Sequence, residues 1–427
     1  MNLMWVRLSL ALAPMQYGRT RPFIVLLVFL ALAGLLLVLT MRRPGVDKWK
    51  AMTDRIDQLR LEASSRKLPR SALRGKLVEG NAWDEYNLAI DDAGRWTDDQ
   101  NGALFARFVN GEKGVDRAKV EKLVASHAGA LEHLRRGAQR SDGQYPYQWQ
   151  RGATMELPSL LASRRLANAA AAQARIWTEQ GRTQDAADIL LDASVFARDL
   201  ATNGTLLSSL IGYALNSITF EELRHLILSG RLTQKQLSDL AQKLEVVDKD
   251  LPGLGTIFSN ETMLFGTTLQ AGIPTNELLT FLKRGELRAA LSSRATLAEA
   301  FEIKESYVNR FLKLERMNYM AARQEENAIE TDAVSSPNAF VRLSMYSVSK
   351  SATAHREAVA HVRLLRAGAS FLATGKMPTI PDPFGTNLLH KQEAGKTRIW
   401  SLGTDGSNQN GAGNWEGKPD MVLEIGK

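Results

Sequence analysis

The sequence predicts a mainly α-helical protein in three parts: an N-terminal transmembrane helix, a multi-helix body of αα-hairpins, and a small C-terminal antiparallel β-module. Three observations carry this. Residues 22–41 form an uncharged apolar run, apolar residues recur at helical spacing over 47–375, and after Pro378 the alanine- and arginine-rich text gives way to Gly, Pro, Asn and β-formers. The expected division is a tail at 1–21, the span at 22–41, a helical domain at 47–376 and a β-module at 377–427.

Composition narrows the function. A chain of 427 residues, 44% hydrophobic and 23% charged, buries a large core and is not disordered. The absence of cysteine excludes disulfide scaffolds, thiolate zinc sites and a cysteine nucleophile. The net charge of +8 is localised: Arg7, Arg19, Arg21, Arg42 and Arg43 precede residue 44 without a single acid, which leaves 49 bases against 46 acids in the rest. That near balance does not suggest a nucleic-acid partner.

From Pro22 to Met41 the chain reads PFIVLLVFLALAGLLLVLTM. As a helix this is about 30 Å long, the thickness of a bilayer's hydrocarbon core, with arginines at both ends to reach the headgroups. The run ends in Thr-Met-Arg-Arg-Pro and not in a small-x-small exit, so it reads as a single lipid-embedded span and not a cleaved signal. The stretch MNLMWVRLSLALAP before Met15 is too short to span and reads as interfacial or as an over-extended start. Lys and Arg outnumber on the C-terminal flank, which on its own favours a cytoplasmic body; long domains translocate largely regardless of such counts.

In the body, Leu166, Ala170, Ala174 and Trp177 share one helix face; Gly181 ends that helix and Thr183 is placed to cap the next, striped by Ala186, Leu190, Ala193, Ala197 and Leu200. ARIWTEQGRTQDAADILLDASVFA resembles one tetratricopeptide-type helix pair, but no second copy follows at the ~34-residue period, so an αα-hairpin is expected. Further helices are expected through Leu207–Ile218, from Thr233, over Leu297–Gln324 and over Ala352–Thr374, with an internal loop from Arg323 to Pro337. Helical packing of this kind points to a protein-binding scaffold only by analogy.

Catalytic signatures are sparse. There is no HExxH and no GxSxG. Ala394-Gly395-Lys396-Thr397 imitates the end of a phosphate loop, but His390 stands where its first glycine belongs. His127 falls in the Val120/Leu123/Val124/Leu131 stripe as a core histidine. His355 and His361 are six apart and point in different directions. The acid pairs Glu221/Glu222 and Glu325/Glu326 are expected to face solvent. A hydrolase would have to assemble its site from scattered acids with His127 or His225.

The C-terminal text is richer. Pro381 and Pro383 end the helix; Leu388–Glu393 and Thr397–Leu402 flank a turn at 394–396, and Met421–Ile425 alternates as a third strand. Between the last two strands lies a long loop, residues 403–420, that needs an organiser. A hard cation fits, because calcium takes six to eight oxygens and glycines let the chain wrap it. Candidate ligands are the Asp405 and Asp420 carboxylates, the Asn408 and Asn410 amides, and main-chain oxygens near Leu402 and Ser407. An EF-hand does not fit, since its glycine would fall on Asn410. The rival reading is a loop held by asparagine–backbone bonds.

DPFG (382–385), IWSLGTDG (399–406) and an Asn/Gly loop ending in Asp420 before an apolar strand resemble the C-terminal end of type II secretion major pseudopilins. The resemblance covers about 45 residues. It implies a calcium site formed by the main-chain oxygen of Leu402 with Asp405 and Asp420. The N-terminus lacks that family's processing signature, and Asn408, Asn410 and Asn414 make this loop less acidic, which implies weak binding of the class found in extracellular modules. A site of that affinity fills outside the cytosol. The expectation is therefore a single-pass bacterial inner-membrane protein with a periplasmic interaction body and an unknown protein partner, accessory to a secretion or pilus-like system. The overall layout also resembles uncharacterised single-span bacterial envelope proteins.

Overall fold

A computed structural model describes residues 46–66, 70–96, 99–202, 204–271, 293–345, 348–393, 395–417 and 419–426. The expected span at 22–41 lies outside the described residues; among those described, no helix is long and apolar enough to cross a membrane. The chain is mainly helical, with a three-stranded antiparallel sheet at its C-terminal end.

Helix α1 (Val46–Ser65) buries Met52, Ile56, Leu59 and Ala63, a single face at i, i+4, i+7, i+11. Strand β1 (Val78–Asn81) runs into α2 (Ala82–Gly94), where the Asn81 side chain accepts from the Trp83 N–H and caps the helix. After α3 (Asp99–Val109), α4 (Arg117–Ser126) and α5 (Ala128–Ala138), β2 (Arg140–Asp142) pairs in parallel with β1. The sequence reading missed this short ladder, whose partners lie about sixty residues apart.

The central helices are α6 (Leu160–Glu179), α7 (Thr183–Ala201), α8 (Leu206–Leu228) and α9 (Gln234–Asp250). The expected α6/α7 hairpin forms, but Thr183 lies inside α7 and Arg182 occupies its N-cap without a side-chain bond. Small residues set the closest approach between α7 and α8: a Cβ on Gly212 would lie 2.5 Å from the Ala197 carbonyl and 2.8 Å from the Ala201 methyl. Thr233 caps α9 with a full capping box to Gln236.

Helix α10 (Leu254–Ala271) packs against α1 and α11 (Arg294–Lys313), and Gly266 sits between Ile56 and Phe301. The single helix expected over Leu297–Gln324 is two. α11 ends at Lys313, and α12 (Tyr319–Val334) begins beneath an Asn318 cap that accepts from the Ala321 N–H. The expected loop over Arg323–Pro337 is therefore mostly helix. Its polar text hides a buried face of Tyr319, Ala322, Glu326, Ile329 and Ala333, in which Glu326 is neutralised by Arg356 of a later helix. The acid pairs are corrected likewise. Glu222 and Glu326 are buried, at 2% and 3% exposure, on Arg175 and Arg356.

Helix α13 (Ala339–Met345) leads to α14 (Val348–Thr374), which is buried on several sides. Val362, Leu365 and Ala369 enter the core of α2–α9. Val348, Ala352 and Ala358 enter the core of α1 and α10–α13. Ala360, Leu364 and Ala367 meet the C-terminal module. The module is the meander β3 (Leu389–Glu393), β4 (Lys396–Ser401) and β5 (Met421–Ile425), with β4 central. Its hairpin closes on the Glu393–Lys396 pair, one residue earlier on β4 than the sequence suggests. Gly368 on α14 leaves room for Leu423, so β5 lies directly on the helix.

Candidate metal centre

The loop between β4 and β5 starts from a fixed point. Asp382, 5% exposed, accepts from Ser401 Oγ at 2.6 Å, the Leu402 N–H at 3.0 Å and the Phe384 N–H at 3.1 Å. Burial raises its carboxyl above the ordinary range, against the pull of these donors and of Arg363. The DPFG turn thereby pins the end of β4 and orients the Leu402 peptide. The sequence named Leu402 without the residue that holds it.

Beyond this, Gly403 turns the chain in a left-handed conformation (φ 67°) that no side chain could share, because its Cβ would lie 2.6 Å from the Pro419 carbonyl. Asp405 is exposed and accepts from the Ser407 N–H at 2.9 Å and from Gln409 Nε2 at 2.7 Å. Asn408 Oδ1 takes Trp400 Nε1 at 3.2 Å and the Asn410 N–H at 2.9 Å. Asn410, exposed, occupies the left-handed region at φ 59°. Gly411 then donates to Asp420 Oδ2 at 2.9 Å. Asn414 closes the loop, its carbonyl accepting from Gly417 and Val422.

Of the six candidates, Asp405 and Asp420 are drawn onto one segment, residues 407–411, from opposite ends of the loop. Leu402 is half-buried at its start, Ser407 and Asn410 are exposed along it, and Asn408 has given its amide oxygen to Trp400. Asp420 is fully buried. Burial is the largest influence raising its carboxyl; the Gly411 amide and, more weakly, those of Gln409 and Ala412 pull it down, while the charge of Asp405 raises it further. Asp420 therefore feels the charge of Asp405.

Two oxygens are left over. Asp420 Oδ1 and Gln409 Oε1 are shut off from solvent and accept no hydrogen bond of good geometry. Gln409 is a functional candidate the sequence reading missed, since glutamine in a polar loop carries no signal of its own; its amide is oriented by Asp405 through Nε2. Both orphans are acceptors only, so a donor or a cation would satisfy them. Among the described residues, no three His, Cys, Asp or Glu side chains gather as a ligand set. An oxygen site with two carboxylates, an amide and main-chain carbonyls needs none.

A second polar feature is a cavity of about 120 Å³ lined by Arg70, Asp142, Arg198, Asp199, Thr202 and Asp250. Its acids are engaged. Asp199 is held by Arg70 at 2.6 Å, Arg198 at 2.7 Å and the Tyr86 hydroxyl at 2.9 Å; Asp250 takes Arg198 and the Ser71 N–H. No histidine lines it. His127 stacks on Trp96 at the α4/α5 break, 3.8 Å between centroids, and does not continue the stripe of one helix. His225 bonds Glu221 at 3.1 Å on the surface of α8. His355 meets Tyr213 and His361 meets Trp415, separate as expected.

Fold and site together define a class: a helical body with a small antiparallel module whose closing loop carries unsatisfied oxygens. Compared with known proteins, the chain matches no family model, no curated sequence and no solved structure.

Proposed function

We propose that this chain is a membrane-anchored envelope protein: a lipid-embedded helix at 22–41, a periplasmic helical scaffold for a protein partner, and a C-terminal module ordered by calcium. The pseudopilin-like ending suggests a role accessory to a secretion or pilus-like system. The observation that carries the calcium reading is the pair of buried acceptors, Asp420 Oδ1 and Gln409 Oε1, the first on a carboxyl that burial, and to a lesser degree the charge of Asp405, pushes toward protonation. Each buried oxygen without a partner costs about 1–3 kcal/mol, and a divalent cation removes that cost at both atoms. Asp405, Gln409 and Asp420 would supply side-chain oxygens, Leu402 and Ser407 main-chain oxygens, and Asn410 or water the remainder. With two carboxylates, the expected affinity is about 10⁻⁴–10⁻³ M, suited to a compartment open to external calcium.

The test is limited proteolysis of the full-length chain with a broad-specificity protease. Millimolar calcium is expected to protect residues 400–420, and Asp405→Ala to abolish the protection; identical cleavage in calcium and in chelator refutes the reading. The Lys/Arg count around the span favours the rival topology, a cytoplasm-facing scaffold. A reporter fused after Lys427 separates the two, and activity of a cytoplasmic reporter alone defeats the periplasmic address.

A further inference from the structure

The loop that carries the orphan oxygens also grips the helical body, alongside the packing of β5 on α14. Thr404, between Leu402 and Asp405, accepts from the Tyr319 hydroxyl of α12 at 2.6 Å. Gly406 lies so close to α12 that a methyl there would run into Met320 Sδ and the Tyr319 ring. At the far end of the loop, the Trp415 carbonyl bonds His361 Nε2 of α14 at 3.0 Å. Their rings lie 4.4 Å apart, and Arg224 of α8 stands over the indole at 5.6 Å.

Tyr319 is itself held firmly. Phe384 of the DPFG turn meets it edge-on at 4.9 Å, and Arg356 lies over its ring at 5.2 Å while pairing with buried Glu326. Arg323 Nη1 donates to its hydroxyl at 3.3 Å. Its hydroxyl therefore links a charged network between α12 and α14 to the peptide adjoining Asp405.

We propose that cation occupancy of the loop and docking of the loop on α12 are one coupled event, with Tyr319 as the residue that transmits it. This rests on the calcium reading above. Ligands at 402, 405, 407, 409 and 420 would fix the peptide that carries the Thr404 carbonyl. A fixed carbonyl presents itself to Tyr319 at no further ordering cost, whereas a loose one must first be ordered. Coupling is reciprocal: the docked body raises cation affinity by the same factor by which the cation favours docking. The ion is then sensed by the helical body as well as by the strands around it.

Full-length protein is titrated with calcium, binding is followed by calorimetry, and backbone hydrogen exchange is followed in 404–415 and in 319–326. Calcium is expected to slow exchange in both segments. Tyr319→Phe keeps the ring contacts and loses only the hydroxyl. It is expected to bind calcium about five-fold more weakly, the ratio matching ~1 kcal/mol for one hydrogen bond, and to lose the protection of 319–326 while keeping that of 404–415. Gly406→Ala crowds Met320 and also strains the loop, since Gly406 is left-handed at φ 65°; it is expected to bind calcium more weakly still and to lose protection in both segments. Calcium binding that leaves 319–326 unchanged, or equal affinity in wild type and Tyr319→Phe, overturns the coupling and leaves the metal site standing. No calcium binding by the wild-type chain overturns both.

Discussion

Asp420→Asn puts the site's physics to a direct test, because the charge that burdens the loop in chelator is the charge a cation needs. The asparagine keeps an acceptor for the Gly411 N–H and replaces unpartnered Oδ1 with a donor. In chelator at pH 7 it removes a buried charge that desolvation and, less strongly, Asp405 disfavour, a gain of about 1 kcal/mol. In 10 mM calcium the wild type gains about 1.4–2.7 kcal/mol by mass action for an affinity of about 10⁻³–10⁻⁴ M, and the variant gains little. The two curves should cross: the variant melts higher in chelator, the wild type equal or higher in calcium. Thermal unfolding followed by tryptophan fluorescence reads this, since Trp400 precedes the loop and Trp415 lies within it. The pH dependence has a definite sign. The folded carboxyl is raised above 3.8, so the folded state holds the extra proton between 3.8 and its raised value. In chelator, wild-type stability relative to the variant therefore improves as pH falls through that window, and the full penalty is present above it. A variant less stable than wild type in chelator, or an equal calcium gain in both, refutes the reasoning.

Other expectations concern the body that holds the module. Lys304 is 1% exposed and its Nζ has no hydrogen bond. Glu261 stands 3.8 Å away and the Phe265 ring 4.4 Å, and burial lowers its pKa from 10.5. Replacing the pair together, Lys304→Met with Glu261→Gln, should raise stability at pH 7 by about 1–3 kcal/mol in urea unfolding, an advantage that shrinks as pH rises toward 10.5, because the unfolded wild-type chain alone holds the extra lysine proton in that window. An advantage independent of pH would contradict it. Gly212→Ala should cost about 1–2 kcal/mol despite better helix propensity, because its methyl meets the Ala197 carbonyl; an unchanged urea midpoint would contradict the tight α7/α8 approach.

What the sequence revealed was local. The helix start at Thr233, the β3–β5 spacing and the α6/α7 hairpin are written in neighbouring residues, and each is found. What it concealed depends on partners far along the chain. Glu326 looks solvent-facing until Arg356, thirty residues later, makes it a core residue of α12; Glu222 depends in the same way on Arg175, 47 residues away. The β1/β2 ladder joins segments with no recognisable strand alternation. At the site, the aspartates at 405 and 420 were legible as oxygen donors. Gln409 became a candidate only once its carbonyl was seen without a partner, and Asp382 only once its three donors were seen at the start of the loop.

The three-sided burial of α14 bears on how the molecule fails. Cutting the chain near residue 377 would strip the cover from Ala360, Leu364, Ala367 and Gly368 and leave a sticky stripe on a helix that also supports both larger cores. The change in composition there marks an edge of style, not of independence. A fault in the last fifty residues should spread as aggregation of the whole protein, and genetic truncations there should behave as null alleles.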